Sequence, residues 1–270
     1  MKNLITLFVL GLLFASCSSD SVTEESQAVT FTIPFNSNNY WTYDIEDSEM
    51  NTSRDSLYVG NDTIINAKTY KKMKVKDDIA FGFFSNSLRN NGVRVVGNKL
   101  FLSGDFSANL GQSTPLNFNL VLNDFIAFDA DAPQNENPST RTGSFQQTVS
   151  GYPLTIEYVL KSVGGVSYSS YTSPNGDTYS NVKSGKIVLN VKISTTQVIA
   201  GIPITVTVLP QQNVLVSEQF VAESIGVVHT NTVTSYTLNS QLPSEIINQL
   251  NIPTTYYATQ NEYLDTYLLN

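Results

Sequence analysis

Lys186-Ile187-Val188-Leu189-Asn190-Val191-Lys192-Ile193 sets Ile187, Leu189, Val191 and Ile193 at every second position. An apolar period of two belongs to a strand with one dry face and one wet face. Leu116 to Leu122 (L-N-F-N-L-V-L), Leu154 to Leu160 (L-T-I-E-Y-V-L) and Ile202 to Val208, with Ile202, Ile204, Val206 and Val208 in phase, repeat the pattern. Strands buried on both faces beneath crossover helices read as unbroken apolar runs, so the alternation predicts antiparallel pairing.

Turn chemistry agrees. Gly97-Asn98 separates Val93–Val96 from Lys99–Leu102, a spacing that predicts a tight hairpin. Pro174-Asn175-Gly176-Asp177 reads as a second turn, and Gly60-Asn61-Asp62 as a third between Ser56–Val59 and Thr63–Ile65. Helical periodicity is confined to Ser244–Leu250, where Ser244 is placed to cap a short helix carrying Ile246, Ile247 and Leu250. The 14 Tyr, 14 Phe and frequent β-branched residues suit a pleated, half-buried surface. The expected fold class is therefore all-β: antiparallel sheet or sheets forming an open barrel or a sandwich, with at most one or two short helices.

The 270 residues are 41% hydrophobic and 14% charged, with a formal net charge of -8. Ordinary hydrophobicity excludes a disordered chain. The acidic balance opposes a nucleic-acid partner, because a phosphate backbone is bound by basic residues that displace its counterions. One Cys and one His exclude disulfides and the common zinc sites.

Lys2, the apolar run Leu4–Phe14 and the small residues Ala15-Ser16 before Cys17 have the layout of an export signal over residues 1–16. The run is shorter than the ~20 residues that span a bilayer as a helix. Leu13-Phe14-Ala15-Ser16-Cys17 resembles the bacterial lipobox, with Phe14 where Leu is usual, and the resemblance implies lipidation at Cys17. Two or three acyl chains anchor a protein firmly where one binds only marginally. The polar, acidic stretch 17–30 then reads as a flexible tether, and 31–270 as the β-rich domain. Acidic residues behind a lipidated Cys are similar to those of Bacteroidetes-type lipoproteins. That likeness implies the outer membrane, on its periplasmic or its cell-surface face.

Asn66 to Lys74 and Asn175 to Lys183 share N-x-x-T-Y-x-x-[MV]-K. If this is a true repeat, the domain has two related halves, 31–128 and 143–270. The Pro- and Asn-containing stretch Asp129–Thr142 would be the loop between them. Asn39-Tyr40-Trp41-Thr42-Tyr43-Asp44, Arg54-Asp55-Ser56-Leu57-Tyr58-Val59, Lys68-Thr69-Tyr70 and Ala222–Val228 with Tyr236-Thr237-Leu238 resemble recurring blocks of uncharacterised Bacteroidetes β-rich envelope lipoproteins. That group implies no catalytic residues. Single blocks are also similar to Lol-type carrier half-barrels, and the N-x-W-x-Y opening is faintly similar to the first strand of lipocalins.

The search for chemistry yields little. His229 is the only candidate base, and no Gly-x-Ser-x-Gly elbow accompanies it. A pair of carboxylates doing hydrolase work stays open as an alternative. Asp129, Asp131 and Glu136 lie in the densest cluster of hard oxygen ligands, for which calcium is the cofactor to consider, with a solvated acidic loop as the plain alternative. Lys71, Lys72, Lys74 and Lys76 read as protection of an edge strand, or as contacts to anionic head groups. Trp41 and Tyr43 share a strand face, either as core anchors or as ligand-stacking rings. The functional expectation is a non-catalytic, lipid-anchored envelope protein that binds an apolar ligand or a glycan through a sheet surface or cavity. An assembly protein without a small-molecule ligand is the alternative. Its partners would be the membrane, through the lipid, and that ligand; the sequence names no protein partner.

Overall fold

The computed structural model describes residues 31–109, 116–199 and 202–270. Cys17, the signal and the whole of the tether lie outside them. The described chain forms one twelve-stranded antiparallel sheet rolled into a nearly closed barrel, in the order β6-β5-β4-β3-β2-β1-β12-β11-β10-β9-β8-β7. The strands are β1 (Tyr40–Asp47), β2 (Thr52–Ile65), β3 (Lys68–Val75), β4 (Gly92–Val96), β5 (Lys99–Asn109), β6 (Asn117–Asp129), β7 (Thr140–Val149), β8 (Tyr152–Thr172), β9 (Thr178–Ile199), β10 (Ile202–Ala222), β11 (Gly226–Thr237) and β12 (Thr255–Leu268). Two short helices, α1 (Phe83–Leu88) and α2 (Ser244–Leu250), sit in the β3–β4 and β11–β12 connections.

On β8 and β9 alternation does what period two requires, whereas on β10 the first residues of the alternating set, Ile202 and Ile204, are exposed and only Val208 is buried. Leu154, Ile156 and Leu160 of β8 and Leu189, Val191 and Ile193 of β9 are fully buried inside the barrel. The first strand of the barrel pairs with the last, Tyr40 opposite Leu268. The opposite seam, between edge strands β6 and β7, has no ladder and is bridged by side chains. Arg141 Nη2 donates to the Asn123 carbonyl at 2.9 Å, the Ile126 N–H donates to Ser139 Oγ at 3.0 Å, and Phe118 meets Phe145 edge-on at 5.9 Å. The loop between β6 and β7 divides the strands six and six, and the N-x-x-T-Y motif falls at the turn leading into the third strand of each half.

The Gly97-Asn98 hairpin forms as expected, with Gly97 at φ +58°. Three local expectations are corrected. Gly60-Asn61-Asp62 is not a turn: β2 runs through it, absorbing one extra residue as an irregularity between Val59 and Asp62. The chain reverses at Asn66-Ala67, both in the left-handed region (φ +48° and +62°), a conformation sequence rules do not assign to Ala. Ser244 does not cap α2, whose N-cap is Pro243. The lysine-rich strand β3 is not an edge, since it pairs with both β2 and β4; Lys71 bonds Asp62 at 2.9 Å and Ser37.

Strand directions assign the ends. At one end lie Phe31–Asn39, the chain terminus and the β8–β9 and β10–β11 turns, where the Ser224 N–H bonds the Thr32 carbonyl at 2.8 Å. At the other end lie the β1–β2 turn and both helix-bearing connections.

Candidate functional site

Helix α1 enters the barrel from the second end and divides its interior. Phe84 and Leu88 point down into an apolar space with Trp41, Tyr43 and Met73, closed below by Ile33 and Phe35. Trp41 Nε1 donates to the Ile225 carbonyl at 2.7 Å, Tyr43 Oη donates to the Val227 carbonyl at 3.0 Å, and Tyr43 packs edge-on to Phe84 at 5.7 Å. Burial pushes the Tyr43 phenol well up, and the Glu262 charge adds to the rise. The cavity left among these side chains is about 70 Å³. Drug-sized and lipid-like ligands occupy roughly 300 to 1,000 Å³, so this chamber is mostly filled by protein.

Above α1 the barrel mouth is open. A cleft of about 510 Å³ is lined by Phe81, Phe83, Asn86, Thr232, Tyr256 and Gln260, with Asp47 and Glu49 on one lip. Phe81 is 57% exposed. Phe83 is braced edge-on by Phe106 at 5.9 Å, and Tyr256 stacks on buried Tyr236 at 5.7 Å. Burial pushes the Tyr256 phenol up, with the Glu49 and Asp47 charges adding to the rise. Among the described residues, no Lys, Arg or His lines the cleft. Rings beside amides and hydroxyls suit a polar ligand with an apolar face. The acidic lip disfavours an anionic one.

The cleft wall Ala80–Phe83 is held from beneath by three side chains of the barrel. Asp55 on β2 accepts from the N–H groups of Phe81 (3.0 Å) and Gly82 (2.9 Å). Gln260 on β12 accepts from the Phe83 N–H at 2.7 Å and donates to the Phe81 carbonyl at 3.1 Å. Glu262 accepts from the N–H groups of Phe84 (2.6 Å) and Ser85 (3.3 Å) and from the hydroxyls of Ser85 and Thr230. The N-cap residue, Gly82, has no side chain with which to satisfy these donors, so the strands supply the acceptors instead. Asp55 and Glu262 are 1% and 0% exposed. Burial pushes the Glu262 carboxyl up, the Phe84 and Ser85 N–H groups pull it down, and the Asp55 charge pushes it up again, to about 7. Such a proton affinity suits a general acid. The group is nonetheless sealed from the cleft by the backbone of Gly82, where a Cβ would collide with the Glu262 carboxylate.

The other residues singled out in the sequence have structural partners. His229 is buried on the outer face in a stack of Tyr171, Phe220, His229 and Tyr263, its neighbours 5.2 and 5.1 Å away. Its ring nitrogens meet Tyr171 Oη at 2.7 Å and Asn261 Oδ1 at 3.2 Å, and burial lowers its pKa. Asp129 pairs with Lys99 at 2.6 Å, and Asp131 accepts from Asn98. No group of three or more acidic, His or Cys side chains converges among the described residues, so Asp129, Asp131 and Glu136 are not gathered into a ligand set. A different carboxylate, Asp124, is the ion-pair hub. Burial works to raise its pKa, but bonds from Lys68, Tyr70 and Arg94 hold it down to about 2.

The chain matches no family model, no curated protein and no solved structure.

Proposed function

We propose that this protein is a non-catalytic, lipid-anchored envelope protein that binds a neutral glycan in the open mouth of its barrel. The cleft itself carries the reading: about 510 Å³ of open space flanked by Phe81, Phe83 and Tyr256 and fringed by Asn86, Thr232 and Gln260. Sugar rings present apolar faces to aromatic side chains and hydroxyl edges to amides. The apolar chamber below, at about 70 Å³, offers far less to a lipid or other apolar ligand. Polarity of the fold supports the same reading. Phe31, the described residue nearest Cys17 in the chain, lies at the end opposite the cleft, so a lipid anchor approached from that end would leave the cleft facing away from the membrane.

Calorimetric titration with cellohexaose, xylohexaose, mannohexaose and maltohexaose tests the proposal. At least one is expected to bind, with affinity falling about 3- to 10-fold in Phe81→Ala and in Tyr256→Ala, the worth of one aromatic contact. Indifference of both variants, or binding of none of the four, favours an assembly protein that uses an exposed face. The anchor is tested separately. Cys17→Ala is expected to move the protein out of the membrane fraction, and unchanged fractionation argues against lipidation.

A further inference from the structure

Two carboxylates are buried inside the barrel with no cation beside them. Asp55 and Glu262 have backbone N–H groups and hydroxyls as partners, and no Lys, Arg or His among the described residues bonds either one. The titratable groups facing Glu262 are Asp55 from β2 and Tyr43 from β1; Ser85 from α1 and Thr230 from β11 contribute hydroxyls only. His229 precedes Thr230 on β11 but points to the outer face, where it meets Tyr171 and Tyr263. Two like charges in a dry interior repel each other and resist desolvation, which favours a proton on one of them. The groups they hold are the N–H donors of Phe81, Gly82, Phe84 and Ser85, with the Phe83 N–H between them taken by Gln260, and Ala80–Phe83 is one wall of the cleft.

We infer that Glu262 and Asp55 form a proton-controlled latch on the cleft: with Glu262 neutral the Ala80–Phe83 wall stays seated, and with Glu262 charged it is released. The inference deepens the glycan reading by supplying its regulation, and rests on that reading only for the ligand. Its sign follows from linkage. In the released state Glu262 meets water and regains its ordinary pKa near 4.5, against about 7 when seated. The seated form therefore binds the proton more tightly. Its advantage is complete below pH 4.5, declines as pH rises to about 7, and is constant above. Across that window the opening constant rises on the order of 100-fold.

Amide hydrogen exchange on the full-length protein at pH 4.5 and pH 8, corrected for intrinsic rates, reads this directly. Protection of the amides of residues 81 to 85 is expected to fall on the order of 100-fold in the natural chain and to stay flat in Glu262→Gln, which keeps the acceptor oxygen without the charge. Equal protection at both pH values, or the same fall in the variant, overturns the latch. Should Glu262→Gln not fold, Asp55→Asn removes the neighbouring charge and is expected to shift the midpoint to lower pH, because without the Asp55 repulsion Glu262 ionises more readily. An unmoved midpoint, or one shifted to higher pH, overturns the latch. Exchange needs no ligand, so its failure leaves the glycan reading intact. A working latch on a protein that binds none of the four oligosaccharides sinks the glycan reading alone.

Discussion

Trp41→Ala is expected to lower the free energy of urea unfolding by about 3 to 5 kcal/mol, the usual cost of removing a large ring from a packed interior. Trp41 is 5% exposed and packs against the apolar chamber below α1. Its truncation also strips the Ile225 carbonyl of its Nε1 donor, and a buried acceptor left unpaired costs about 1 to 3 kcal/mol. Trp41→Phe separates the two contributions, since it keeps a ring and loses the donor; a fall of about 1 to 2 kcal/mol is expected there. The same pair of variants tests Trp41 and Tyr43 as ligand-stacking rings. A chamber of about 70 Å³ gives a guest little room. Enlarged by the missing indole, it should admit benzene, seen as a rise in Tm for Trp41→Ala and none for the natural chain. A loss below 1 kcal/mol in Trp41→Ala would show that Ile33, Phe35 and α1 close onto the space, and that the chamber is softer than its packing implies.

The wall of the barrel was legible in the sequence because period two is local. Ile187, Leu189, Val191 and Ile193 state their face without reference to any other strand, and all of them are buried together. Closure was not legible. Pairing of β1 with β12 joins residues more than 200 positions apart, and nothing in Tyr40 or Leu268 names the other. Helix α1 escaped for a related reason. Phe83-Phe84-Ser85-Asn86-Ser87-Leu88 is too short to show helical periodicity, and its donors are satisfied by Asp55, Gln260 and Glu262 from distant strands, where sequence rules look to a neighbouring residue for a cap. The cleft was missed with it, since α1 and its leading loop make one wall. One signal was available: Asp55 and Glu262 each stand in an alternating strand at a position that faces inward, and a charged residue there needs a partner from outside its own strand.

Gly82→Ala is expected to have the other large effect, about 3 to 5 kcal/mol, because it disturbs several hydrogen bonds to buried carboxylates, each contributing about 1.5 to 3 kcal/mol. A Cβ on Gly82 would overlap the Glu262 carboxylate, so a methyl group there has no space without moving either the loop or the acid. Moving the loop takes the N–H groups of Phe81 and Gly82 away from Asp55 and those of Phe84 and Ser85 away from Glu262, leaving two buried carboxylates short of donors. Moving Glu262 breaks the same bonds to α1 and the contact with Thr230. Neither route keeps the set intact, so the urea midpoint should fall sharply. The loss should be larger at pH 5 than at pH 8, since the seated loop has its greatest advantage while Glu262 holds its proton and part of that advantage is already gone once Glu262 is charged. If the loss is instead under 1 kcal/mol and independent of pH, the loop yields without disturbing the acids, and the strands do not hold α1 in the way its hydrogen bonds indicate.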